Sequence, residues 1–110
     1  MKDTNIIYYR NELIVELCGE VDHHVAPGIK DRIDFMAFEC NVKKIVFDFS
    51  KVTFMDSSGI GIVLGRYNKM IASGGEVVTR NAHGTVKQIL EMCGIFSLMK
   101  YEEDEKEAEK

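Results

Sequence analysis

The chain has few of the features that mark secreted, membrane or nucleic-acid-binding proteins. Its three cysteines, Cys18, Cys40 and Cys93, are odd in number and far apart, with no C-x-x-C and no histidine at metal-ligand spacing. That is the pattern of reduced thiols in a cytosolic protein. Cys18 lies within an apolar, alternating stretch and reads as core. No run approaches the ~18–20 apolar residues of a membrane span. The opening MKDTNIIYYR lacks an apolar core long enough for a signal peptide. A cytoplasmic protein is therefore expected, with no membrane partner. An excess of basic residues is also missing. Residues 102–110 (EEDEKEAEK) hold six acids and two lysines, whereas Met1 to Tyr101 carry 12 acids and 12 bases. A neutral body with an acidic tail has no stripe of cations for a phosphate backbone, which excludes nucleic acid.

Catalytic motifs are lacking too. The segment DSSGIG at 56–61 has no glycine two residues before either serine, so it is not the G-x-S-x-G elbow of a hydrolase. GIGIVLGRYNK lacks the interval and the Lys-Ser/Thr of a phosphate-binding loop. It also misses a dinucleotide G-x-G-x-x-G, because Gly65 comes one position late. Nothing ties His23, His24 or His83 to Ser57 as a base. The residues point to a binding module that is not an enzyme, and none of them calls for a cofactor.

The chain does contain a regular alternation of elements within one domain's length, 110 residues. Residues 6–10 and 13–21 read as strands: Leu13, Val15, Leu17 and Val21 alternate with Ile14, Glu16, Cys18 and Glu20, and Arg10-Asn11 forms a hairpin turn. Ile29, Ile33, Met36 and Ala37 recur at helical spacing up to about Glu39, with Asp22 as candidate cap and Pro27-Gly28 tolerable only in the first turn. KIVFDF at 44–49 has the continuous apolar character of a central strand. A loop is expected over 50–55, then a helix over 57–73 with Ile60, Val63 or Leu64, Tyr67 and Met70 or Ile71 inward, closed by Gly74-Gly75. Residues 76–80 read as a strand, 86–93 as a helix, and the charged tail as a helix former. The order β-β-α-β-α-β-α plus a C-terminal helix predicts an α/β fold, a mixed and mostly parallel sheet with helices packed on it.

Two features of 56–65 invite a functional reading. Asp56, Ser57 and Ser58 open a helix, where unpaired N–H groups accommodate an anion such as a phosphate, although a plain N-cap explains the same residues. Gly59, Gly61 and Gly65 each cost ~0.8–1 kcal/mol in a helix relative to alanine. Either Ile60, Gly61 and Gly65 line a shallow groove beside Ser57 that another backbone can approach, or the glycines allow this helix to pack closely on its sheet.

GEVDHH at 19–24, KIVFDF, FMDSSGIGIVLGRY at 54–67 and GGEV at 74–77 together resemble the STAS domain, the sulphate transporter and anti-sigma-factor antagonist family. The likeness is strongest to the sporulation antagonists. It implies a STAS fold over 1–100, followed by an acidic tail, 101–110, that is helical or frayed. It also implies an anti-anti-sigma factor. The unphosphorylated form binds an ATP- or ADP-bound anti-sigma serine kinase and releases a sigma factor. The kinase then phosphorylates Ser57, which ends binding, and a type-2C-like serine phosphatase resets the protein. The resemblance puts Glu20 and Asp22 against a kinase arginine, and Asp56, Ser57, Ser58, Gly59, Ile60, Gly61 and Gly65 in the partner-binding surface. Two further readings are a STAS regulator of general-stress type and a weak nucleotide-binding domain.

Overall fold

The computed structural model describes residues 4–103. In chain order the elements are β1 (Asn5–Tyr9), β2 (Glu12–Val21), α1 (Ala26–Cys40), β3 (Lys44–Met55), α2 (Ser57–Ala72), β4 (Glu76–Arg80), α3 (Gly84–Met92), α4 (Ile95–Leu98) and β5 (Lys100–Glu102). One five-stranded sheet follows that order, β1-β2-β3-β4-β5. The β1–β2 pair is antiparallel and the other three pairs are parallel, which is the mixed, mostly parallel sheet expected. Arg10 and Asn11 both have positive φ, as a two-residue hairpin turn requires.

Because the strands step across the sheet in one direction, right-handed crossovers deliver every helix to the same face. One core cluster accordingly joins Leu13, Val15 and Leu17 of β2 and Ile45, Phe47 and Phe49 of β3 to Ile29 and Ile33 of α1, Ile60 and Val63 of α2, and Val86 and Leu90 of α3.

The structure corrects the sequence reading in three places. The loop expected over 50–55 is the second half of β3, paired with β2 up to Val21↔Met55. Two register shifts, between Glu16 and Cys18 and between Gly19 and Glu20, insert extra residues in β3. Buried positions then fall at Phe49, Val52 and Met55, every third residue, so the period-2 signal of a strand is lost. The second correction concerns Asp22, which caps the turn before α1 and not α1 itself. Its Oδ1 accepts the N–H groups of His24 (3.0 Å) and Val25 (3.3 Å). Pro27 falls in the first turn of α1, where a missing N–H costs nothing. Third, the chain after α3 forms only the short α4 and then β5. Tyr101 and Glu102, placed at the start of the tail, lie in that edge strand. The remaining tail positions, 104–110, lie outside the described residues.

Edge strand β5 is fastened by Tyr101. Its hydroxyl accepts the Ala82 N–H at 3.1 Å and lies 3.1 Å from the Ala82 carbonyl and 2.9 Å from Glu103 Oε2, either of which takes its proton. Burial, reinforced by the Glu103 carboxylate, pushes this phenol up to about 12 from its usual 10.0. A folded-state pKa above the unfolded value means the stabilisation is complete below pH 10 and disappears as pH rises to about 12. Thermal melts across that window should therefore show wild type losing stability more steeply than Tyr101→Phe.

The helix glycines give a second stability prediction. A Cβ on Gly59 would overlap the buried Met55 side chain and approach Val21 Cγ1 at 3.3 Å, whereas a Cβ on Gly61 or Gly65 meets nothing. Gly59→Ala should cost about 1–3 kcal/mol from overpacking, against about 1 kcal/mol gained in helix propensity. Gly61→Ala should be stabilising by about 0.5–1 kcal/mol. Chemical denaturation of the two variants checks the opposite signs.

Candidate functional site

The candidate site is built where β2 and β3 end together. Parallel strands finish at the same edge of a sheet, so the turns that follow them meet there. Val21 pairs with Met55, and the Asp56 N–H donates to the Val21 carbonyl at 3.3 Å, one residue beyond the ladder. This brings GEVDHH (19–24) and MDSSG (55–59) into one constellation.

Asp56 is the N-cap of α2, with extended backbone and its Oδ1 accepting the Ser58 N–H at 2.8 Å. That bond is the main reason its carboxyl lies below the usual carboxylate range; the Ser58 hydroxyl, the His23 N–H and the His23 ring act in the same direction. His23 Nδ1 stands 3.7 Å from Asp56 Oδ2 and its ring lies against that of His24, with centroids 4.1 Å apart. Each aspartate thus finds donors among neighbouring backbone N–H groups, and the two loops tie to one another through His23 and Asp56.

Ser57 is the first residue of α2 and is exposed, while Ser58 is half-buried. The two serines differ in occupation, since the Ser58 N–H donates to Asp56 Oδ1. Glu20 is exposed and Asp22 half-buried, on the same edge. Among the positions expected to form a groove, Ile60 is 7% exposed and belongs to the core, so it does not line an exposed surface. Gly59 is likewise buried and explained by close packing on Met55 and Val21. Gly61 is exposed and Gly65 half-buried, one helical turn apart. With no side chain beyond either, they leave α2 bare on the side that Ser57 begins. Close packing thus accounts for Gly59, while Gly61 and Gly65 have open space beyond them.

One residue of the constellation escapes sequence reasoning. Phe54 is 50% exposed and stands opposite Glu20 in the β2–β3 register, an aromatic ring in water beside the acidic edge. The available signal was its place in FMDS one residue before the buried Met55, which is unreadable if 50–55 is taken as loop. Among the described residues no group of three His, Cys, Asp or Glu side chains could hold a metal ion, and no helix is long and apolar enough to cross a membrane.

Known proteins resemble the chain in sequence and in fold. An anti-sigma F factor antagonist of Paenibacillus polymyxa is 36% identical over 92 residues, covering 84% of this chain and 79% of that protein. The unphosphorylated form of the anti-sigma factor antagonist SpoIIAA superposes with a TM-score of 0.82 at 31% identity, covering 96% of this chain and 91% of that one. SpoIIAA of Bacillus in its phosphorylated form, described as a cell fate determinant, superposes at 0.74 with 29% identity and 96% of each chain covered. The STAS domain model matches residues 4–108, a span that takes in every strand and helix described above, and the chain belongs to the STAS domain family.

Proposed function

We propose that this protein is an anti-sigma-factor antagonist whose binding is switched by phosphorylation of Ser57. The unphosphorylated chain binds an anti-sigma serine kinase carrying ATP or ADP and displaces a sigma factor. Transfer of phosphate to Ser57 ends that binding, and a type-2C-like serine phosphatase restores it. The observation that carries the reading is the exposed Ser57 at the start of α2, with the Ser58 N–H held by Asp56 and an edge of Glu20, Asp22 and Phe54 beside it. Its relatives' roles as antagonists, and a solved phosphorylated SpoIIAA, support it.

The physics of the switch follows from charge. A phosphoserine adds about −1.5 to −2 at pH 7. At a helix N-terminus that charge gains ~0.3–1 kcal/mol, opposed by the Asp56 carboxylate one residue away. The two effects nearly cancel, so the domain keeps its fold. Against a partner, an anion desolvated without a counter-charge costs roughly 3–5 kcal/mol, a ~10²–10³-fold loss of affinity. The switch is a blocked surface on an unchanged scaffold.

Incubation with the anti-sigma kinase and labelled ATP tests the assignment. Ser57→Ala should take up no phosphate and keep binding the kinase; Ser57→Asp should bind weakly; Ser58→Ala should still be labelled. Labelling of Ser57→Ala at the wild-type rate would transfer the role to Ser58. The acidic edge is tested separately. Asp22→Asn retains an acceptor for the His24 and Val25 N–H groups, since asparagine caps about as well as aspartate. It should therefore leave the melting temperature unchanged while weakening kinase binding. Phe54→Ala should do the same by at least ~10-fold, as expected for a central aromatic anchor. Binding titrations beside melts decide both, and intact affinity in both variants would remove this edge from the interface.

A further inference from the structure

A second cleft lies at the far edge of the sheet from Ser57. Helices α1 and α2 start beside the C-terminal ends of the strands and finish at the opposite edge, where their C-terminal halves frame a cleft of about 690 Å³. That volume is within the range of small-molecule sites. Its walls are apolar: Phe35, Phe38 and Val42 on one side, Met70 on the other. Phe38 is 87% exposed and Phe35 also stands largely in water, so both rings are available to a ligand.

The charge in this cleft is unusual. Arg66 of α2 is 4% exposed, and among the described residues its only ion pair is with Asp34 of α1, whose Oδ1 lies 2.9 Å from Nε. Among the described residues neither Nε nor Nη1 makes a hydrogen bond of good geometry. A guanidinium has five N–H donors, and a buried cation short of acceptors is costly. Asp34 Oδ2 is engaged instead by Lys69 Nζ at 3.2 Å, with Lys30 Nζ at 3.9 Å, and neither Asp34 oxygen gives Arg66 Nη1 a hydrogen bond. Lys30 also pairs with Asp31, its Nζ 3.7 Å from Oδ1, so three cations stand against two carboxylates and leave a side-chain charge of +1.

We propose that this cleft binds an amphipathic organic anion, its head group on Arg66 and its apolar body between Phe38 and Met70. The head group completes the hydrogen bonding of the buried guanidinium, and the body covers the two exposed rings. Being at the opposite edge from Ser57, the site operates independently of the antagonist reading.

The probe is 8-anilinonaphthalene-1-sulfonate, titrated by fluorescence against the folded full chain. N-phenyl-1-naphthylamine, which has the same rings and no sulfonate, is the control. Saturable one-to-one binding is expected, with the uncharged dye weaker by about tenfold or more because it offers no acceptor to the unfilled N–H donors of Arg66. Amide shifts on binding should concentrate at Phe35, Phe38, Arg66 and Lys69 and leave Ser57 unmoved. Arg66→Gln should weaken sulfonate binding by about tenfold or more. If that variant does not fold, Phe38→Ser and Lys69→Glu, both at exposed positions, decide instead, and each should weaken it severalfold. Equal affinity for the two dyes, absence of saturable binding, shifts centred elsewhere, or full affinity in both surface variants would overturn the proposal.

Discussion

The parallel pairing of β2 with β3 is the constraint on which the rest depends. It carries Val21 to Met55 and so sets Asp22 beside Asp56, joining two sequence motifs that share no local contact. The pairing also fixes where α1 and α2 begin, and therefore which of their faces meet the core. A cap and a turn then finish the work: Asp22 holds the N–H groups of His24 and Val25, and Asp56 holds that of Ser58. With both carboxylates anchored by backbone donors, the edge presents acidic charge in a fixed geometry.

That rigidity bears on the proposed switch. A helix start already capped by Asp56 gains little from a second anion next to it, so phosphate at Ser57 has no reason to reorganise α2. Further along α2, Gly61 and Gly65 leave open space where side chains would otherwise stand. Asp34, Arg66, Lys69 and Lys30 form a separate electrostatic unit between the two helices. The two ends of one helix pair thus carry charge of opposite sign, acidic by Ser57 and basic at the far cleft.

Much of this was legible in the sequence, and the failures have identifiable physical origins. The alternation of Leu13, Val15 and Leu17, the helical spacing of Ile29 and Ile33, and the cap at Asp56 each follow from a local rule that tertiary packing reinforced. The second half of β3 was hidden because its two register shifts replace period 2 with a spacing of three, which matches neither template. Phe54 was lost with it. Ile60 looked like a groove residue because Gly61 adjoins it, but successive helix positions are ~100° apart and face different surroundings. The Arg66–Asp34 contact is between helices, so no spacing within either segment announced it.

The bulged segment of β3 has one more implication, for how this chain can vary. By composition, SKVTFM resembles a connector, and connectors usually absorb insertions and deletions. Here an insertion of one residue would carry Phe54 into the buried position of Met55, and a deletion would carry Met55 into solvent. It would also turn the start of α2 relative to the β2 edge. Natural and laboratory variants should therefore conserve the length of residues 50–55 more strictly than the identity of any exposed residue within it.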